Sequence, residues 1–238
     1  MLHIAVINKS TAITNAEIEA MMPAFDRQLN RDLQSVWRVE PATFTFVQHG
    51  RKPRSGAWWL VFFDDSDQAT DLAYHDLTNE GRPMSKVFVK TLYEDGASIS
   101  VGATHEICEM AVDPWLNGVY QGPRNIFWSS EVCDPVEDDS YGYKIGKILV
   151  TDFVLPTWFG RQFGAGRQFD FMGHVSKPFE VLSGGYAQKY KHGRGWVQDT
   201  GRQAKGTKRA TPARGSRRER RKRGWSNLKR SRARWDAH

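Results

Sequence analysis

Apolar and polar positions alternate over Leu2 to Ile7, which reads as a short buried strand. From Thr14 to about Trp37 the period changes. Ile18, Met21, Met22, Phe25, Leu29, Leu33 and Val36 recur at helical spacing, with Asn15 as the expected N-cap and Pro23 placed to bend the early turns. This stripe is a core face. Alternation returns over 42–47, and Gly50 to Gly56 forms a basic turn region. The run Trp58 to Phe63 is apolar throughout and bounded by turn formers, as expected of a central strand; it leads into a loop carrying Asp64, Asp65 and Asp67.

A second group of elements follows. The segment 72–78, containing Tyr74-His75-Asp76, precedes a turn at Gly81-Arg82-Pro83 and a strand over 86–90. A short helix is expected from Thr104, as N-cap, to about Asp113, where Pro114 ends it; Ile107, Met110, Ala111 and Val112 supply its apolar face. Asn117 to Arg124 is a loop, Ile126 to Val136 a strand running into a turn at Asp134-Pro135, 138–143 a hairpin loop and 145–155 a strand carrying Asp152. Gln162 to Met172 is irregular. A short strand and Gly-Gly turn are expected over 178–186, and a last strand pair over 189–197. Beyond about Gly201 the apolar periodicity stops.

Charge changes this picture more than composition does. Of the 34 Lys and Arg and 27 Asp and Glu in the 238 residues, 18 basic and 3 acidic residues fall after Tyr186. The chain is therefore an acidic body, taken as 1–200, with a basic tail, 201–238, expected to stay disordered until it meets an anion. Arg217, Arg218, Arg220, Arg221, Lys222 and Arg223 form its densest block, with Trp196, Trp225 and Trp235 interleaved along the basic region. Such a tail suits salt-sensitive binding of nucleic acid without sequence readout. A solvated tail or one that touches an acidic protein is the alternative. Two cysteines are too few for a disulfide framework and suit a reducing compartment. The N-terminus lacks the features of a secretory signal, and no apolar run is long enough to cross a bilayer, so a soluble, cytoplasmic protein is expected.

Candidate chemistry lies in the short helix, which reads His105-Glu106-x-x-Glu109. At a spacing of four, His105 and Glu109 share a face and can reach one zinc-sized ion, while Glu106, about 100° away, is placed to act as general base. Three fixed positions alone carry little information; by composition they occur in roughly one chain in fifty of this length. A third ligand is needed. Glu131 is the first choice and Asp134 the alternate, because both are carboxylates in an apolar, aromatic segment, where burial without a partner or cation is costly. Asp113 lies too far along the helix to share the ion and reads as a helix-end residue behind the site. His75 is expected to order a loop by hydrogen bonding, with a metal or substrate role as the alternative. A His/Cys/Cys site drawing on Cys108 and Cys133 is a weaker variant.

The ordered blocks Tyr74-His75-Asp76, Pro83 with Lys86-Val87-Phe88-Val89, Thr104-His105-Glu106 with Glu109-Met110 and Asp113-Pro114, Glu131-Val132-Cys133-Asp134-Pro135-Val136, Tyr141, Asp152-Phe153-Val154-Leu155-Pro156, Phe159 and Gly184-Gly185-Tyr186 cover roughly residues 58–200. They resemble a group of bacterial and phage proteins that carry a zincin-like His-Glu-x-x-Glu helix. The resemblance implies an α+β, metallopeptidase-like domain with a mixed sheet packed beside the active-site helix. It carries no demonstrated substrate; the first reading of the residues is a zinc-dependent hydrolase acting on a protein or peptide, in which Tyr141 and His75 are the candidate oxyanion stabilisers. Glu109 stands where the common zincin pattern has a second histidine, and its charge makes bound water less acidic and admits harder ions such as calcium or manganese. The non-catalytic alternative is a virion or assembly component that keeps the fold, with assembly partners and packaged DNA facing the tail.

Overall fold

The alternating start of the chain becomes β1 (Leu2–Asn8), one of the inner strands of a five-stranded sheet. This computed structural model describes residues 1–67, 72–160 and 168–201. The sheet also contains β2 (Ala42–Phe46), β3 (Trp58–Phe63), β4 (Ala73–Leu77) and β5 (Pro83–Phe88), in the order β2-β1-β3-β5-β4. β2, β1, β3 and β5 run parallel to their neighbours, whereas β4 returns antiparallel along β5 with His75 opposite Ser85. The apolar run Trp58–Phe63 is the central strand, as expected from its lack of alternation.

Between β1 and β2 the chain is helical almost throughout. Helix α1 (Asn15–Arg27) passes into a π-helical segment, Gln28–Leu33, and then α2 (Gln34–Trp37). The N-cap is Thr14, one residue before the expected Asn15: its hydroxyl accepts from Glu17 N while Glu17 accepts from Thr14 N, a capping box worth about 1 kcal/mol. Ile18, Phe25, Leu29 and Leu33 are fully buried in the core that also takes Ile4, Val6, Leu60, Phe62 and Val87 from the sheet. Each such burial is worth roughly 1.5–3 kcal/mol.

After β5 the chain forms α3 (Val89–Asp95), where a continuing strand was expected at 89–90. Gly96, at φ 74°, ends it, a backbone conformation that suits glycine. Helix α4 follows at Ile99–Val112, with its N-cap at Ser98, six residues before the expected Thr104, because Ile99, Val101 and Ala103 are themselves core residues. Thr104 is thus interior. Its hydroxyl donates to Ser100 O and accepts from Thr151 N. Helix α4 packs on β5 and β4.

The remaining chain is built from short pieces. β6 (Val119–Gln121) and β7 (Phe127–Ser129) precede a turn of 3-10 helix at Asp134–Val136; β8 (Tyr143–Ile145) and β9 (Ile148–Val150) form a hairpin. The expected strand over 145–155 is therefore broken. After Val150 the backbone runs extended to one bridge between Val154 and Asp170. β10 (Tyr186–Lys191) and β11 (Gly195–Thr200) form the closing hairpin, and the second sheet has the order β11-β10-β7-β6. Trp128 stacks on Phe179 and meets the edge of Trp158, tying this sheet to the loops behind it. The whole is mixed α+β with a mixed sheet. Among the described residues no helix is long and apolar enough to cross a membrane. The charge block at 217–223 and most of the irregular segment at 162–172 lie outside the described residues.

Candidate metal centre

Three features of the chain bring polar side chains into the space between the sheet and the second half of the molecule. The antiparallel edge strand β4 turns His75 inward beside Ser85, whose hydroxyl donates to Glu106 O on α4. Helix α4 presents His105, Glu106 and Glu109. The segment after β7 supplies Glu131 and Asp134. His75, Glu106, Glu109, Glu131 and Asp134 are at most 2% exposed and His105 is 5% exposed.

The contacts are close. His105 Nε2 is 3.3 Å from Glu109 Oε1, 3.3 Å from Asp134 Oδ1 and 3.9 Å from Glu106 Oε1. His75 Nδ1 is 3.3 Å from Glu106 Oε2 and 3.7 Å from Glu109 Oε2, and His75 Nε2 is 3.9 Å from Glu131 Oε2. The amides of Cys133 and Asp134 donate to Glu109 Oε1 at 3.2 and 3.3 Å, so the loop is tied to the helix at the shared carboxylate. There are two sets of potential ligand atoms, His75 with Glu109 and Glu131, and His105 with Glu109 and Asp134, and within each set the atoms lie within 4.8 Å of one another.

The four helix and loop residues singled out in the sequence, His105, Glu106, Glu109 and Glu131, are all in this cluster. Their grouping differs from the expectation. Asp134, the alternate third ligand, is the carboxylate grouped with His105, while Glu131 is grouped with His75. His75 is not a loop residue but part of a strand, and it faces carboxylates rather than loop backbone. Only the register of β4 against β5 reveals this. Asp113 is the C-cap of α4, and its Oδ1 accepts from Asn117 N and Gly118 N at 3.0 and 2.8 Å. It shapes the loop that leads to β6. Cys108 and Cys133 are buried free thiols and join neither set. Burial and the neighbouring Cys108 push the Cys133 thiol well above its ordinary range, which keeps it protonated and inert.

Burial pushes the His105 imidazole towards its neutral form, but Glu109, Asp134 and Glu106 outweigh it and hold the pKa well above the ordinary value. In the absence of a cation His105 is a proton-bearing partner for these carboxylates. A metal entering the site would have to displace that proton, so binding would strengthen as pH rises. The donor set fits a divalent ion: imidazole suits zinc and iron, carboxylates suit harder cations such as manganese, and the backbone amides on Glu109 orient one ligand from behind.

Gly185 is a further positioning residue that its Gly-Gly turn did not betray. A β-carbon there would stand 2.6 Å from Pro135 O and 2.7 Å from Asp134 O, so only glycine lets the 182–186 turn close on the loop that carries Asp134. Leu182 N donates to Pro135 O on the same seam.

The fold and cluster together define a class: a mixed α+β protein with buried His/Glu/Asp groups that could hold a metal ion. No protein-family model, curated protein or solved structure matches the chain.

Proposed function

We propose that this chain is a divalent-metal-dependent hydrolase of zincin-like build, with zinc as the first choice of ion and peptide bonds as substrate. The observation that carries the reading is the placement of Glu106 in the same buried cluster as His105 and Glu109, within 3.9 Å of His105 Nε2. A bound ion would supply Lewis acidity and lower the pKa of an attacking water. His105, Glu109 and the loop carboxylates would hold it, with manganese or calcium as the alternatives that a carboxylate-rich set admits. Glu106 takes the proton of the attacking water and returns it to the departing amine. His75 keeps Glu106 oriented through its Nδ1 contact. The mixed sheet lying beside α4 supports the zincin-like part of the reading. The basic tail adds salt-sensitive contact with nucleic acid through Arg217, Arg218, Arg220, Arg221, Lys222 and Arg223.

Near-complete burial of all six side chains favours a second reading. In it the cluster is an internal brace, and the chain is a non-catalytic virion or assembly component. Glu106→Gln separates the two when metal content and peptide hydrolysis are measured on the same samples. Hydrolysis reduced by about 10²–10⁴-fold, with the ion retained, supports the enzyme. Wild-type protein that binds the ion and cleaves no member of a diverse peptide library supports the brace.

A further inference from the structure

The two ligand sets share one residue, and that residue is aimed both ways. Glu109 directs Oε1 to His105, at 3.3 Å, and Oε2 to His75, at 3.7 Å. Glu106, one turn earlier on α4, does the same: Oε2 lies 3.3 Å from His75 and Oε1 3.9 Å from His105. Two carboxylates therefore span the gap between two imidazoles. At the far ends stand Glu131 beside His75 and Asp134 beside His105. From strand β4 to the 134–136 turn the order of side chains is symmetrical: terminal carboxylate, imidazole, two spanning carboxylates, imidazole, terminal carboxylate.

A single ion does not use this arrangement. It would engage one set and leave the histidine and terminal carboxylate of the other beside it. Charge points the same way. The four carboxylates have a formal charge of −4, equal and opposite to that of two divalent cations and twice that of one. Burying the remainder in a low dielectric is costly. Ions about 3.5–4 Å apart, sharing carboxylates, are the usual form of a two-metal site.

We propose that the cluster holds a pair of divalent cations, one on His75, Glu109 and Glu131 and the other on His105, Glu109 and Asp134, with Glu109 bridging them. The proposal rests on the metal-binding reading above and deepens it. Six donor atoms, two imidazole nitrogens and four carboxylate oxygens from Glu109, Glu131 and Asp134, favour manganese, iron or zinc over calcium. In the hydrolytic reading such a pair, when bound, would supply charge stabilisation at both the attacking and the leaving atoms.

The test uses the full-length chain, stripped with chelator, reloaded with manganese chloride and freed of excess by gel filtration. Metal is counted per chain by mass spectrometry, and the same sample is examined by electron paramagnetic resonance. About two manganese per chain with an exchange-coupled spectrum are expected. Glu131→Gln and Asp134→Asn, near-isosteric and checked for folding by circular dichroism, should each keep about one ion and lose the coupling. One ion in the wild type, with the six-line spectrum of isolated manganese, overturns the pair and leaves the single-metal site standing. Two ions without coupling overturn the bridge. No retained manganese, and no zinc in a parallel loading, overturns both the pair and the metal-binding reading. Should a variant fail to fold, the wild-type count and spectrum decide alone.

Discussion

The molecule buries carboxylates in two places and deals with them in different ways. In one, Asp152 and Asp170 face each other with no imidazole as partner. Asp152 Oδ1 accepts from Phe153 N and Met172 N, and Asp170 accepts from His174 N and Val175 N. Burial and the neighbouring Asp170 push the Asp152 carboxyl up to about 9, so it keeps its proton at neutral pH. In the other, four carboxylates surround two histidines. A single proton on His105 leaves most of the charge in place. The contrast supports the proposed cation: a proton suffices for two facing aspartates that backbone amides already solvate, whereas four carboxylates converging on ring nitrogens make groups that could hold a metal ion.

Chelation should have the largest effect on this contrast. If a divalent ion neutralises the cluster, removing it should expose that charge and lower the melting temperature markedly. A ligand at 1,000 times its dissociation constant stabilises by about 4 kcal/mol. For a chain of this size each 1 kcal/mol is worth roughly 2–4 °C. Differential scanning calorimetry with and without a chelator should therefore give a fall of about 8–16 °C, recovered on adding the metal back. An unchanged melting temperature would place the two buried carboxylate groups in one category.

Titration probes the aspartate pair. A proton-bound Asp152 has a folded pKa above its unfolded one, so the stability it contributes is complete below about pH 4. Stability should then fall as pH rises towards about 9, because the unfolded chain releases a proton that the folded chain retains. An asparagine side chain at this position would mimic the protonated group. Urea unfolding of wild type and Asp152→Asn at pH 5, 7 and 9, under one metal condition, should give a difference that moves steadily in favour of the variant. A constant offset would mean that the pair is not held by a proton.

The two groups also differ in how much of them could be read from the residues alone. Four of the five strands of the first sheet, the long helical segment and the closing hairpin follow from local period, β4 being the exception, and His105, Glu106 and Glu109 follow from spacing on one helix. Glu131 and Asp134 stood out because a carboxylate in an aromatic segment is expensive. His75 did not, since its inward direction depends on β4 pairing antiparallel with β5, and pairing is a long-range property. The same is true of Asp152, whose partner Asp170 is distant in sequence and meets it through the bridge at Val154. Helix α3 was missed because Val89 and Leu92 are its only buried positions, too few to set a helical period. The start of α4 was misplaced because Thr104, a good N-cap residue by type, spends its hydroxyl inside the helix and on Thr151.

The smallest effect distinguishes geometry from charge. Gly185→Ala adds no charge to either group, but its methyl would press on the carbonyls of Asp134 and Pro135 and move the loop that brings Asp134 to His105. Overpacking of this kind costs about 1–3 kcal/mol. Gly146→Ala is the companion control: its φ of 63° strains a side chain but there is open space around it, and it lies in the β8–β9 turn. Both variants should melt a few degrees lower. Only Gly185→Ala should also weaken metal binding, read by competition with a chromogenic chelator, and neither should change the pH dependence that belongs to Asp152. Equal metal affinity in the two variants would mean that the loop position is not what holds Asp134 in the cluster. Weakened affinity in Gly185→Ala alone would show that the site depends on a backbone contact made far downstream of the loop it supports.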